Sequence, residues 1–371
     1  MESFQDIKVP ETIERLKNDP GFEAICNHYW PEANLSEIKN SLNGIKTAQE
    51  FQLKFMHSII SKIIEKSSGG FTFSGIDKLD PKESYLFIAN HRDILLDTAI
   101  MQVILVENGH ETSEITFGDN LMQPGLVTDL CNLNRMLTVK RTGTTRELYS
   151  YSKELSEYVR KVVTANKNSI WLAQRGGRTK DGLDLTQPGL LKMLNMTGGD
   201  DLVKNYNELN IIPLSISFEY EPCDDLKTME TYSKIKEIPY VKGEDEDMES
   251  IKKGILEDKG RIHMHFGNKI VLQEEQEKPQ ENAFLKNLAK QIDQSLYSGY
   301  KLWPTNYMAA DLLAGDQTYS KEYTATELEH FNAYLTGRIA NLKGEKELLL
   351  ETILKVYANP VLAVNRTEIS V

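Results

Sequence analysis

Nowhere does the sequence stay apolar for the roughly 20 consecutive positions that a membrane-spanning helix needs. Its first residues, MESFQDIKVPE, contain no apolar signal core. The expectation is a soluble or peripheral protein of the cytoplasm. Cysteine is scarce: Cys26, Cys131 and Cys223 show no paired metal-ligand spacing and read as ordinary thiols in a reducing compartment. Positive charge is in the minority, with 43 Lys and Arg against 55 Asp and Glu and a net charge of -12. That excludes a general nucleic-acid binder, which would present a basic face, but leaves room for a local basic pocket. There is no internal repeat and no low-complexity tract. A G-x-S-x-G elbow is also missing, since Ser74 in Phe73-Ser74-Gly75 lacks the preceding glycine.

What is present is organised around Tyr85 to Ile100. An apolar strand, Tyr85 to Ala89, runs into Asn90-His91-Arg92-Asp93, and an apolar helical run follows. A histidine at a strand-to-helix junction, with aspartates at 93 and 97, can act as a base oriented by a carboxylate. Strands are further expected at Phe71–Gly75, Ile115–Gly118, Met136–Val139, Ser169–Ala173, Ile211–Tyr220 and Arg261–Gly267, with helices between several of them. This pattern predicts an α/β fold with a mixed, largely parallel sheet flanked by helices.

The expected organisation is a helical N-terminal region over 1–67, an α/β domain over 68–275 and a helical C-terminal region over 276–371. In the first region, Phe51, Phe55, Ile59, Ile60, Ile63 and Ile64 recur at helical spacing between Ala48 and Lys66. The plain reading is a helix packed on the main domain; the other is contact with a membrane. Residues 244–249 read as a solvated acidic insertion. The C-terminal stretches 281–300 and 323–357 read as helical, with a break at Gly344.

Four clusters fall at or just beyond expected strands: Asn90 to Asp97, Val139-Lys140-Arg141-Thr142-Gly143, Gln174 to Gly182, and Ile212 to Ser217. In open α/β sheets, ligands bind beyond the carboxyl ends of the strands. The clusters would then converge on one cleft holding His91, carboxylates and Lys140, Arg141, Arg175, Arg178 and Lys180. Guanidinium and ammonium groups hold phosphate, and the turn at Gly176-Gly177 lets backbone N–H groups approach an anion. Arg92 reads equally as a surface charge or a residue that steadies the site. His263 and His265 alternate on one strand face, but no nearby carboxylate or cysteine completes a metal site, so they read as structural.

In this order the four clusters resemble the four motifs of the glycerol-phosphate acyltransferase superfamily, over roughly residues 70–272. The first is similar to the H-x4-D block, the second to a block carrying a phosphate-binding arginine, the third to E-G-[TG]-R-S with a downstream proline, here Pro188, and the fourth to an apolar strand with a proline, here Pro213. The resemblance implies transfer of a fatty acyl group from an acyl-CoA or acyl-carrier-protein thioester to the hydroxyl of a phosphorylated glycerol or lysolipid, at a membrane surface, with no bound cofactor and no metal. His91 would be the base, with Asp97 or Asp93 as its partner. Arg92, Lys140, Arg141, Arg175, Gly176, Gly177 and Arg178 would contact substrate. Two alternatives stand beside it: O-acylation of a non-glycerol lipid acceptor, such as an acylated amino acid, and a non-catalytic homologue that binds lipid or acyl carrier.

The sequence departs from the motifs twice. Five residues separate His91 from Asp97 where the family has four, so the pair can meet only if His91 lies in the loop ahead of the helix. The third block lacks its glutamate, and neither Asp181 nor Asp184 is an obvious substitute.

Overall fold

The structure, a computed structural model, describes residues 4–243, 245–274 and 280–368. The boundary expected at 275–276 and residue Glu244 of the acidic stretch lie outside them. The N-terminal helices are α1 (Val9–Lys17), α2 (Pro20–Tyr29), α3 (Leu35–Ser41), α4 (Ala48–Phe51) and α5 (His57–Ser67), and a π-helical turn over Gln52–Met56 joins the last two. The capping box of Thr47 and Glu50 starts α4. From there the spaced apolar residues Phe51, Phe55, Ile59, Ile60 and Ile63 are buried in one core with Phe87, Ile212 and Phe266 of the sheet. Residues 48–67 therefore pack on the main domain by their apolar face.

The sheet has seven strands: β1 (Gly70–Ser74), β2 (Leu86–Ala89), β3 (Glu114–Gly118), β4 (Met136–Val139), β5 (Ile170–Ala173), β6 (Ile211–Phe218) and β7 (Arg261–Phe266). Their order is β1-β7-β6-β2-β5-β3-β4. Every pairing is parallel except β6 with β7. The sheet is mixed and mostly parallel, and helices flank it. β2 and β6 are buried along their whole length, which is why their sequences run apolar without alternation. Pro213 lies in β6 one residue before β7 begins to pair at Leu214, and its carbonyl accepts from Gly267 N–H at 2.8 Å.

The intervening helices are α6 (Leu96–Glu107), α7 (Leu126–Leu133), α8 (Thr145–Thr164), α9 (Pro188–Leu194), α10 (Leu202–Asn207), α11 (Asp224–Ile235) and α12 (Glu246–Leu256). After β7 come α13 (Glu281–Gly299), α14 (Pro304–Ala314), α15 (Ala325–Ala340) and α16 (Lys346–Glu368). Gly344, at φ +148°, lies in the break between α15 and α16. The sequence reading passed over α14, although Pro304 at its start and left-handed Gly315 at its end are ordinary helix boundaries. Helices α14 to α16 share a second core, which Tyr232 of α11 joins.

Candidate active site

Strand β2 ends at Ala89, and His91 stands in the loop before α6 begins at Leu96. The five intervening residues therefore do not lie on one helix. The loop curls back so that Asp97, in the first turn of α6, faces the ring. His91 Nδ1 is 2.9 Å from Asp97 Oδ2. The same oxygen accepts from the backbone N–H of Arg92 at 2.6 Å and of Asp93 at 3.0 Å. An ionised carboxylate can only accept, so Nδ1 carries the proton and Nε2 keeps its lone pair. The ring packs edge-on against Trp171 of β5, with centroids 5.4 Å apart, and its side chain is 14% exposed. An imidazole held in this way at the end of a strand can serve as a base.

Asp93 does a different job. Its Oδ1 accepts from the N–H groups of Leu95 and Leu96 at 2.9 and 2.8 Å, capping the start of α6. Burial, then the nearby charge of Asp97, raises its pKa above the ordinary carboxylate value.

Arg92 points away from the cleft and is 1% exposed. Its guanidinium meets Asp184 at 2.5 Å, Glu221 at 3.0 Å and the carbonyl of Gly182 at 3.3 Å, and lies 5.3 Å from the centroid of the Tyr300 ring. Burial works against its charge, but Asp184 and Glu221 outweigh that and hold its pKa well above the ordinary value. Lys227 Nζ completes the group, 2.5 Å from Glu221 and 2.7 Å from the carbonyl of Arg92. Two cations and two carboxylates thus balance in the interior, the condition under which buried charge is tolerated.

Sequence reasoning missed this network. Asp184, discounted there, is its hub: it accepts from Asn90 Nδ2 at 3.0 Å and from Thr179 Oγ1 at 2.5 Å as well as from Arg92. Thr179 N–H in turn holds the carbonyl of His91 at 2.8 Å. The third block thereby grips both neighbours of His91 and its own backbone. Asp184 is 94 residues from Asn90 in sequence, and only the parallel pairing of β2 with β5 brings them together.

The remaining cations separate. Arg141 is exposed beyond β4, and its backbone N–H donates to Asp119 at 3.1 Å. A side chain added at Gly177 would come within 3.8 Å of the Arg141 guanidinium, so the second and third blocks do meet. Gly177 has φ +84°, a conformation that favours glycine, and Gly176 N–H donates to Gln187 at 3.1 Å. Lys140 is exposed with its ammonium over the Tyr151 ring, 5.5 Å from the centroid. Arg175 donates to the carbonyl of Leu183 at 3.3 Å. Arg178 is 8% exposed and donates to Ser250 of α12 at 3.1 Å. Lys180 pairs with Glu230 at 2.5 Å, and burial followed by the charge of Arg178 lowers its pKa. His263 bonds Thr72 at 2.8 Å and His265 bonds Ser74 at 2.8 Å, both across to β1. Among the described residues no group of three or more His, Cys, Asp or Glu is placed to hold a metal ion.

Beside the junction lies an apolar cavity of about 430 Å³. Met56, Ile60 of α5, Val103 of α6, Phe117 of β3, Leu130 of α7 and Ile251 of α12 are among its walls, and Leu95 and Thr98, which flank Asp97, also face it. Its size and lining suit a small-molecule site. Wider surface clefts of about 680 and 750 Å³ are lined by mixed acidic and basic residues, and His91 itself lines none of the three.

Residues 70–217 match the model of the Acyltransferase family. That span runs from β1 into β6 and contains all four blocks, so this part of the chain is similar to the Acyltransferase family. Among solved structures, a similar one is the 1-acyl-sn-glycerophosphate (LPA) acyltransferase PlsC from Thermotoga maritima, at 11% identity and a TM-score of 0.37, covering 77% of this chain and 93% of that one. A likeness of that size is silent on function. No curated protein matches the sequence. Among the described residues no helix is long and apolar enough to cross a membrane.

Proposed function

We propose that the protein transfers a fatty acyl group from an acyl-CoA or acyl-carrier-protein thioester to a hydroxyl of glycerol phosphate or lysophosphatidic acid, working as a peripheral protein on the cytoplasmic face of a membrane. The observation that carries this is the 2.9 Å contact between His91 Nδ1 and Asp97, which leaves Nε2 as the base. The acceptor hydroxyl gives its proton to Nε2 as its oxygen attacks the thioester carbon. The C–S bond then breaks, and the departing sulfur takes the proton back from Nε2. Asp97 steadies the imidazolium between the two transfers. Arg141, exposed beside the Gly176-Gly177 turn, holds the acceptor phosphate, and the apolar cavity next to α6 takes the acyl chain.

The test is thiol release from acyl-CoA and acyl-carrier protein, offered with glycerol 3-phosphate, lysophosphatidic acid and an N-acyl amino acid that carries a free hydroxyl. Turnover with a phosphorylated glycerol acceptor, lost in His91→Ala, is the expected result. Equal turnover by wild type and His91→Ala removes the mechanism. Turnover only with the N-acyl amino acid moves the acceptor assignment, and lipid binding without turnover makes the protein a binding homologue.

A further inference from the structure

Inside the apolar cavity one polar group is left over. Gln52 is 4% exposed and lies in the π-helical turn that joins α4 to α5. Such turns carry an extra residue and occur often at functional sites. The side-chain oxygen of Gln52 accepts from Thr112 Oγ1 at 2.6 Å, but its Nε2, buried, has no hydrogen-bond partner among the described residues. Both Gln52 and Thr112 line the cavity. The other buried or half-buried amides of the wall are occupied: Gln102 by Ser113 at 2.9 and 2.8 Å, and Asn134 by the carbonyl of Leu130 at 2.8 Å.

We infer that the cavity is built for a hydroxylated acyl chain, with the hydroxyl bonded to Gln52. This rests on the cavity being the acyl site. A buried amide donor without a partner is costly, which selects an occupant carrying oxygen at that point. Turning the Gln52 amide end over end gives its donor to Thr112 and orphans its oxygen instead. A hydroxyl satisfies either arrangement because it both donates and accepts. A keto or ether oxygen satisfies only the first.

The position of the hydroxyl along the chain follows from the elements. Asp97, which holds His91, is in the first turn of α6, whereas His57 bonds Glu107 at its last residue at 3.2 Å and Thr112 lies beyond that end. The twelve residues of α6 span ~18 Å. A chain whose carbonyl is at His91 therefore meets Gln52 in its distal half, not next to the carbonyl.

The experiment uses three long-chain acids of equal length: unsubstituted, hydroxylated near the carboxyl end, and hydroxylated near the methyl end. Each displaces a fluorescent fatty acid from the full chain, and the corresponding acyl-CoA thioesters are compared in the transfer assay. Wild type should prefer the methyl-end hydroxyl over the unsubstituted chain by about tenfold, the worth of one buried hydrogen bond. Gln52→Leu and the near-isosteric Gln52→Met should both reverse that order. A wild-type preference within about twofold of unity, or a preference that survives both substitutions, overturns the inference. Transfer without any Gln52-dependent preference leaves the proposed reaction standing and removes the hydroxyl. A Gln52-dependent preference in displacement without transfer does the reverse. Failure of all three acids to displace the probe, together with no transfer from their thioesters, removes both.

Discussion

At the scale of single residues, the site turns on which nitrogen of His91 is free. Asp97 Oδ2 gathers three donors, the ring Nδ1 and the two backbone N–H groups of Arg92 and Asp93. Asparagine places either its NH2 or its oxygen at that point. With the NH2 there, the backbone bonds are given up and the ring protonates at Nε2 and loses its lone pair; with the oxygen there, the three donors are kept but the negative charge that steadies the imidazolium is gone. Asp97→Asn should lower kcat by on the order of 10³ to 10⁴ while leaving the acceptor KM within a few-fold, since nothing that binds the acceptor has moved. Steady-state kinetics decide it, and a loss confined to KM would contradict the tautomer argument. Asp184 acts one layer deeper. With Asp184→Asn, Arg92 and Lys227 face Glu221 alone, and one buried positive charge is left without its partner. The expected loss is roughly 3 kcal/mol of stability, read as a lower denaturation midpoint. His91 and Asp97 were legible in the sequence because both belong to one short stretch. Asp184 was not, because a buried ion network is defined by strand neighbours and leaves no local pattern.

At the scale of elements, α12 shows what a composition reading captures and what it loses. Glu246, Asp247 and Glu249 open the helix; Glu249 is exposed, as a solvated acidic stretch should be, whereas Glu246 and Asp247 are half-buried and accept from Tyr240 and Asn120. Its inner face is another matter: Ser250 meets Arg178, Ile251 and Ile255 face the apolar cavity, and a Cβ at Gly254 would overlap the carboxylate of Asp93. The helical spacing of 250 with 254 and 251 with 255 is present in the sequence, but nothing there says that the partner of Gly254 lies in the first block. An ordinary helical Gly→Ala change stabilises by up to about 1 kcal/mol. Gly254→Ala should destabilise instead, by about 1 to 3 kcal/mol, because Asp93 is locked as the cap of α6 and α12 must lift. A urea midpoint above that of wild type would show that the helix is free to shift. The β elements were easier to read, since continuous apolar runs such as β2 and β6 announce full burial by themselves.

At the scale of the whole molecule, the interior sets opposing pH dependences against each other. Burial raises the pKa of Asp293 on α13 to about 6, even though Thr186 N–H bonds it at 2.7 Å. Burial lowers that of His263 to about 4, helped by Lys301, and that of His265 also falls. For Asp293 the folded pKa lies above the unfolded value of 3.8, so between the two the folded state binds more protons and stability falls as pH rises. For His263 the folded pKa lies below the unfolded value of 6.5, so the unfolded state binds more protons and stability rises with pH. The windows overlap between about pH 4 and 6, and there the two slopes oppose. Asn at 293 keeps the acceptor for Thr186 N–H and removes the titration. Asp293→Asn should therefore match wild type at pH 4 and exceed it at pH 8 by on the order of 2 kcal/mol. Its stability should also climb more steeply than that of wild type from pH 4 to 6, with the histidine slope no longer opposed. Chemical denaturation at several pH values tests this, and parallel curves for the two proteins would mean that Asp293 ionises as readily folded as unfolded.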